Sequence, residues 1–155
     1  SGAGAEVEGE LGTQEKSQLT KFLTQTLKAE GVLSLEELLG KLADHPTQKL
    51  AAAATGKGLP EVEICIAGLT QTIGQSLILR STAYPSATAP ARDAMIQLMT
   101  EKGSCPKQEA VEYLANALPT PPSTFVVTKL LKELAYQSGT LWVFKGNPPP
   151  PPPPA

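Results

Sequence analysis

The chain closes with AYQSGTLWVFKGN (residues 135–147), and a partial copy of that passage, TIGQSLILRSTAY (residues 72–84), stands earlier. In both, a helix-like run meets a glycine and a short apolar run follows. Leu77-Ile78-Leu79 come after Gly74, and Leu141-Trp142-Val143-Phe144 after Gly139. A few apolar residues bounded by turn formers read as a short buried strand. The sequence thus predicts one event twice: a third helix ended by glycine, then a strand that finishes a unit.

Working outward, YPSATAP (84–90) is a Pro/Ser/Ala/Thr break between the two passages, and residues 85–90 read as a linker. The flanking segments, LTKFLTQTLKAEGVLSLEELLGKLADHP (19–46) and ARDAMIQLMTEKGSCPKQEAVEYLANALP (91–119), match at an offset of 72 residues. Leu19, Phe22, Leu23 and Leu27 fall on Ala91, Ala94, Met95 and Met99. Gly31 falls on Gly103, and Leu38, Leu39 and Leu42 fall on Ala110, Val111 and Leu114. Identity is low, but pattern and punctuation agree, which marks an internal structural repeat.

Each unit reads helix, short extended piece, helix, helix, strand. Leu19, Phe22, Leu23, Thr26 and Leu27 keep the helical period and Gly31 stops the run. Ser34 with Glu37 is a capping box for a second helix with an apolar face of Leu35, Leu38, Leu39 and Leu42. A polar loop (47–58) leads to Pro60, suited to a first helical turn. Val62, Cys65, Ile66, Leu69 and Ile73 then share one face. In the second unit Ser123 opens the third helix, which buries Val127, Leu130, Leu131 and Leu134. The strand at 140–145 is expected to return beside the extended piece at 104–105 and close a small sheet over the helices. Trp142 or its neighbours would cap the core.

The expected fold class is mainly α with small β-sheets, as two tandem winged-helix (helix-turn-helix-like) domains. They span residues 15–84 and 91–147, after a flexible lead-in (1–14) and before a poly-Pro tail (148–155). A plain helical bundle is the alternative.

Composition narrows function. In 155 residues the formal net charge is −2 and 41% of residues are hydrophobic, so a core is affordable and there is no strongly basic footprint for nucleic acid. No apolar run approaches the roughly 18 residues of a membrane span, and no signal peptide is visible. Cys65 and Cys105 are isolated, which favours a reduced intracellular setting. Ser1-Gly2 reads as a cloning remnant, and the chain as a piece of a longer one.

DAMIQLMTEKGSCPKQEAVEYLANAL (93–118) followed by FVVTKLLKELAYQSGTLWVFKG (125–146) resembles the winged-helix domains of RNA polymerase III subunits. In particular it is similar to the tandem winged-helix C-terminal extension of the subunit whose other half forms a heterodimer like that of general initiation factor F. The resemblance covers about residues 15–147, and the proline tail has no part in it. It implies a nuclear, non-catalytic place among the subunits of a large transcription complex.

Catalytic patterns are missing. His45, the one histidine, precedes a proline at a helix end, where it reads as a cap. No Cys/His pair has metal spacing, GKG (56–58) lacks phosphate-loop spacing, and Glu36-Glu37 and Glu61/Glu63 read as solvated acids. No cofactor and no enzyme activity are expected.

Binding remains, and in winged helices the third helix is the usual reader of DNA. In the first unit its outward face carries Ile64, Ala67, Gly68 and Gln71 with no Lys or Arg, the character of a protein contact. In the second unit the outward stripe is Phe125, Lys129, Lys132 and Tyr136, a candidate contact for a partner protein or a phosphate backbone. The plainer alternative folds Phe125 under the first turn, leaves the lysines as ordinary solvated residues and packs Tyr136 on the strand. Protein–protein assembly is the leading function, and nucleic-acid binding through the second unit is the alternative. The proline tail suits a profilin-, SH3- or WW-type groove, or simply hangs free. Ile64 and Ile96 are candidate interdomain or protein contacts, and with the short linker they predict a compact tandem.

Overall fold

The computed structural model describes residues 11–148 and residue 154. Residues 1–10 of the expected lead-in, and the expected poly-Pro tail apart from Pro148 and Pro154, lie outside the described residues. The chain divides into two compact units between Ala83 and Tyr84. Each is mainly helical and carries one three-stranded antiparallel sheet.

Order begins before residue 15. Leu11 is only 2% exposed, and its N–H donates to the Glu61 carboxylate at 3.3 Å. The Gly12 N–H donates to Glu15 Oε1 at 3.2 Å as helix α1 (Thr13–Glu30) starts. The lead-in reading is therefore corrected over residues 11–14. One Leu among Gly and Thr sets no period, so its burial left no trace in the pattern.

Leu19, Leu23 and Leu27 line the buried face of α1. Strand β1 (Leu33–Ser34) follows, and Ser34 caps helix α2 (Leu35–Ala43): its hydroxyl accepts from the Glu37 N–H at 3.0 Å while Glu37 Oε1 accepts from the Ser34 N–H at 2.9 Å. On α2, Leu38 and Leu42 are fully buried, whereas Leu39 is half-buried and Leu35 is exposed. The apolar face is thus narrower than the four leucines implied. The expected polar loop 47–58 contains a short helix, α3 (Gln48–Ala53), which buries Leu50 and Ala53 against α1 and α2. Six residues are too few for a helical period to stand out.

Helix α4 (Leu59–Leu69), with Pro60 in its first turn, stops five residues before Gly74. Strands β2 (Thr70–Ile73) and β3 (Ser76–Leu79) form an antiparallel hairpin, Ile73 opposite Ser76, around the two-residue loop Gly74-Gln75. The glycine reading is corrected here: Gly74, at φ 60°, is the hairpin turn and ends no helix. Glycine with positive φ at the first loop position, followed by a residue with ordinary φ, fits the tight hairpin whose twist matches its strands. Ile73 lies four residues beyond Leu69 and so imitates a helical period, yet the β-branched run Thr70, Thr72, Ile73 favours the strand. The sheet order is β1-β3-β2, with Leu33 opposite Leu77.

The second unit repeats the order with helices α5 (Ala89–Lys102), α6 (Lys107–Ala117) and α7 (Thr124–Leu134) and strands β4 (Ser104–Pro106), β5 (Ala135–Ser138) and β6 (Leu141–Phe144). Helix α5 starts inside the expected linker, at Ala89. As expected, the closing strand returns beside the piece after the first helix: Cys105 pairs with Trp142, and the sheet order is β4-β6-β5. Gly139, at φ 62°, is again the first residue of a two-residue hairpin loop. Val143 and Phe144 are the strand's buried residues, and Trp142 is half-buried.

The repeat offset changes along the chain. It is 72 through the second helix and 65 from the third, where Val62 corresponds to Val127, Ile66 to Leu131 and Gly74 to Gly139. The residues missing from the second unit are those between its second and third helices. The first unit has α3 there; the second has LPTPPS (118–123).

Candidate binding groove

The proline-rich connection explains a groove found in the second unit. Proline lacks an N–H and disfavours helix in the residue before it. With Pro119, Pro121 and Pro122, the segment 118–123 cannot supply a short helix like α3. It bends over 118–120 and reaches Ser123, whose hydroxyl accepts from the Val126 N–H at 3.2 Å and starts α7. Beside it lies an open groove of about 670 Å³. Tyr84 and Pro85 line it from the turn that opens the unit, Leu118 and Pro121 from the connection, and Phe125 and Lys129 from α7.

Under this surface sits a charged cluster. Arg92 on α5 is wholly buried, and its Nε donates to Glu133 Oε2 on α7 at 2.8 Å. The guanidinium carbon lies 4.3 Å from the centre of the Tyr84 ring. Burial first, and the Glu133 charge second, push the Tyr84 phenol up to about 12. A buried ion pair under an aromatic ring is a positioning device. It ties the turn at Tyr84 to both helices and gives the groove a fixed wall. Sequence reading missed this cluster. Its one trace is that Arg92 interrupts the buried series Ala91, Met95, Ile96, Leu98, Met99.

The expected stripe is only partly assembled. Phe125 is 76% exposed, so it does not fold under the first turn. Lys129 and Lys132 are exposed on the same helix and make no ion pair among the described residues. Tyr136 is corrected: it belongs to β5, half-buried, and its hydroxyl donates to the Pro148 carbonyl at 3.4 Å. It had joined the stripe because it stands three helical turns beyond Phe125, but α7 ends at Leu134.

Ile64 is 73% exposed on α4 and lines a shallow depression with Lys16, Glu61 and Cys65. Ile96 is buried, 8% exposed. The buried arc of α5 includes Arg92, Ile96 and Leu98 besides Met95 and Met99, so a wheel centred on the methionines drew it too narrow.

Apart from Lys129 and Lys132 on α7, basic groups are sparse on the last helix and the hairpin of each unit. Helix α4 contains no Lys or Arg and carries Glu61 and Glu63. Neither hairpin has a basic residue between its first and last strand residue. His45 is used locally: Nδ1 accepts from the Thr47 N–H at 2.9 Å and the ring meets Phe22 edge-on. Burial pushes the Cys105 thiol up. Among the described residues no three His, Cys, Asp or Glu side chains form a metal-binding group, and no helix is long and apolar enough to cross a membrane. No family model and no curated protein matches the chain.

Proposed function

We propose that the chain is a tandem winged-helix module that joins proteins within a large assembly and performs no catalysis. The winged-helix reading is supported by the order helix, strand, helix, helix, hairpin, complete in the second unit and interrupted in the first only by the inserted α3, with the strand after the first helix beside the last strand. The observation that carries the binding reading is Phe125, mostly exposed beside a groove lined by Pro, Ala, Leu and Tyr. A large apolar side chain left in water at the edge of a concave surface is what a protein interface buries. Duplex binding through α7 is the second reading, favoured by Lys129 and Lys132 alone. A setting in the nucleus, among the subunits of RNA polymerase III, is part of the same proposal and is supported only by the resemblance of residues 93–118 and 125–146.

Affinity capture from nuclear extract with the full chain as bait tests this. Recovery of RNA polymerase III subunits, identified by mass spectrometry, is the expected result. Recovery of an unrelated complex would overturn the polymerase assignment, and recovery of nucleic acid without protein would overturn the assembly reading.

A further inference from the structure

We infer that the groove beside α7 receives an acidic peptide segment of a partner protein, one that carries bulky apolar side chains flanked by carboxylates. The inference rests on the assembly reading and specifies its partner. Three features of the second unit lead to it.

The first is shape and chemistry. The groove is walled by groups with few hydrogen-bond donors, because three of the residues in 118–123 are prolines. Its occupant must be held largely by apolar contact. Phe125 at its edge, with Leu118, Val126 and Leu130 within, offers a surface for a Leu-, Phe- or Trp-sized anchor.

The second is charge. Lys129 stands one helical turn beyond Phe125 and Lys132 nearly another turn on, and both are exposed. Neither forms an ion pair among the described residues. The one carboxylate lining the groove, Glu133, is held by Arg92. Lys129 therefore puts uncompensated positive charge on the groove itself, with Lys132 exposed one turn further along the same helix outside the lining, an arrangement complementary to an acidic segment with apolar anchors. A phosphate backbone would satisfy the lysines but leave the apolar hollow unfilled. A basic or neutral apolar peptide would fill the hollow but leave the lysines without a partner.

The third is preorganisation. The wall at Tyr84 is already fixed by the Arg92–Glu133 pair, so docking orders little of the protein itself. Less ordering means that more of the contact energy appears as affinity.

The test uses the full chain and three labelled peptides of about 12 residues, enough to hold anchors at i, i+3, i+4 and i+7. One has Leu at helical spacing with Glu between, the second has Lys in place of Glu, and the third has Ser in place of Leu. The first should bind at least about tenfold tighter than the other two, a difference of about 1.4 kcal/mol. It should shift the amide resonances of residues 118–133 in a titration followed by NMR. The double charge reversal K129E/K132E should invert the preference between the acidic and basic peptides, and Phe125→Ser should weaken both. All three positions are exposed, so unchanged melting curves verify the fold. Equal binding of acidic and basic peptides, no binding of any peptide, or shifts confined to other residues would overturn the inference. Polymerase capture by the Phe125→Ser, K129E/K132E variant at wild-type level would also overturn it while leaving the assembly reading intact. Loss of capture in wild type and variant alike would count against the assembly reading.

Discussion

The two units share one ground plan and differ at one connection. Between its second and third helices the first unit spends fifteen residues, 44–58, and folds six of them into α3. The second unit crosses the same interval with 118–123 and three prolines. The first choice adds Leu50, Ala53 and Ala54 to the core. The second adds no buried apolar side chain there and leaves an open groove with Phe125 exposed beside it. A repeat can thus keep its core periodicity and change only what it shows to solvent, by changing a connection that the periodicity does not constrain.

The comparison can be broken where the units differ most. Leu50→Ala should destabilise the first unit by about 4 kcal/mol, because Leu50 is fully buried and anchors α3. Urea unfolding followed by NMR signals of each unit measures this. A loss below about 1 kcal/mol would mean that α3 is an ornament and the difference between units is superficial. On α2 the same method should separate neighbours: Leu38→Ala should cost several-fold more than Leu39→Ala, which removes a half-buried side chain.

The second unit has its own dependence. Glu133→Ala leaves the buried Arg92 guanidinium without its carboxylate and should cost about 3 kcal/mol, the lower end for such a removal because the Tyr84 ring still covers the charge. Unchanged stability of the second unit would show that the cluster does not hold the groove wall.

Where the units agree, their variants should agree. Gly74→Ala and Gly139→Ala each force positive φ on a residue with a Cβ, and should each cost about 1 kcal/mol in their own unit. A clear inequality would reveal that the two hairpins carry different loads.

The smallest effect is spectroscopic. The phenol of Tyr84 is held neutral by burial and by Glu133, with its ionisation moved up to about 12. In the unfolded chain it ionises near 10. The folded state therefore binds the proton more tightly. This contribution to stability is complete below about pH 10 and is lost as pH rises from there through about 12. The ultraviolet ionisation curve of wild type minus that of Tyr84→Phe should have its midpoint near 12. A midpoint near 10 would place Tyr84 in water.

Much of this was legible in the sequence, for identifiable reasons. Apolar residues at helical spacing announce helices, so α1, α2, α6 and α7 follow from period and punctuation, and the strand 141–144 follows from its dense apolar run. The pairing of that strand with 104–106 follows from the repeat. What stayed hidden lacks a period. Helix α3 is too short, β2 and β5 continue a helical spacing by coincidence through Ile73 and Tyr136, and Leu11 is alone among small polar residues. The stripe of Phe125, Lys129 and Lys132 could be read from a helical wheel, but the groove beside it could not. It is made by residues 84–88, 118–122 and α7 together, and its wall by Arg92, Glu133 and Tyr84, which no spacing connects.

The central claim is that α7 of the second unit meets protein and not nucleic acid. Titration of labelled duplex DNA with the full chain at about 50 mM salt tests it most directly, since low salt favours any phosphate contact. Two lysines neutralise at most about two phosphates, a salt slope near −1.8 and little affinity. The account predicts no saturable binding in the micromolar range, and the same result for K129E/K132E. Micromolar or tighter binding, falling steeply with salt and abolished by K129E/K132E, would contradict it.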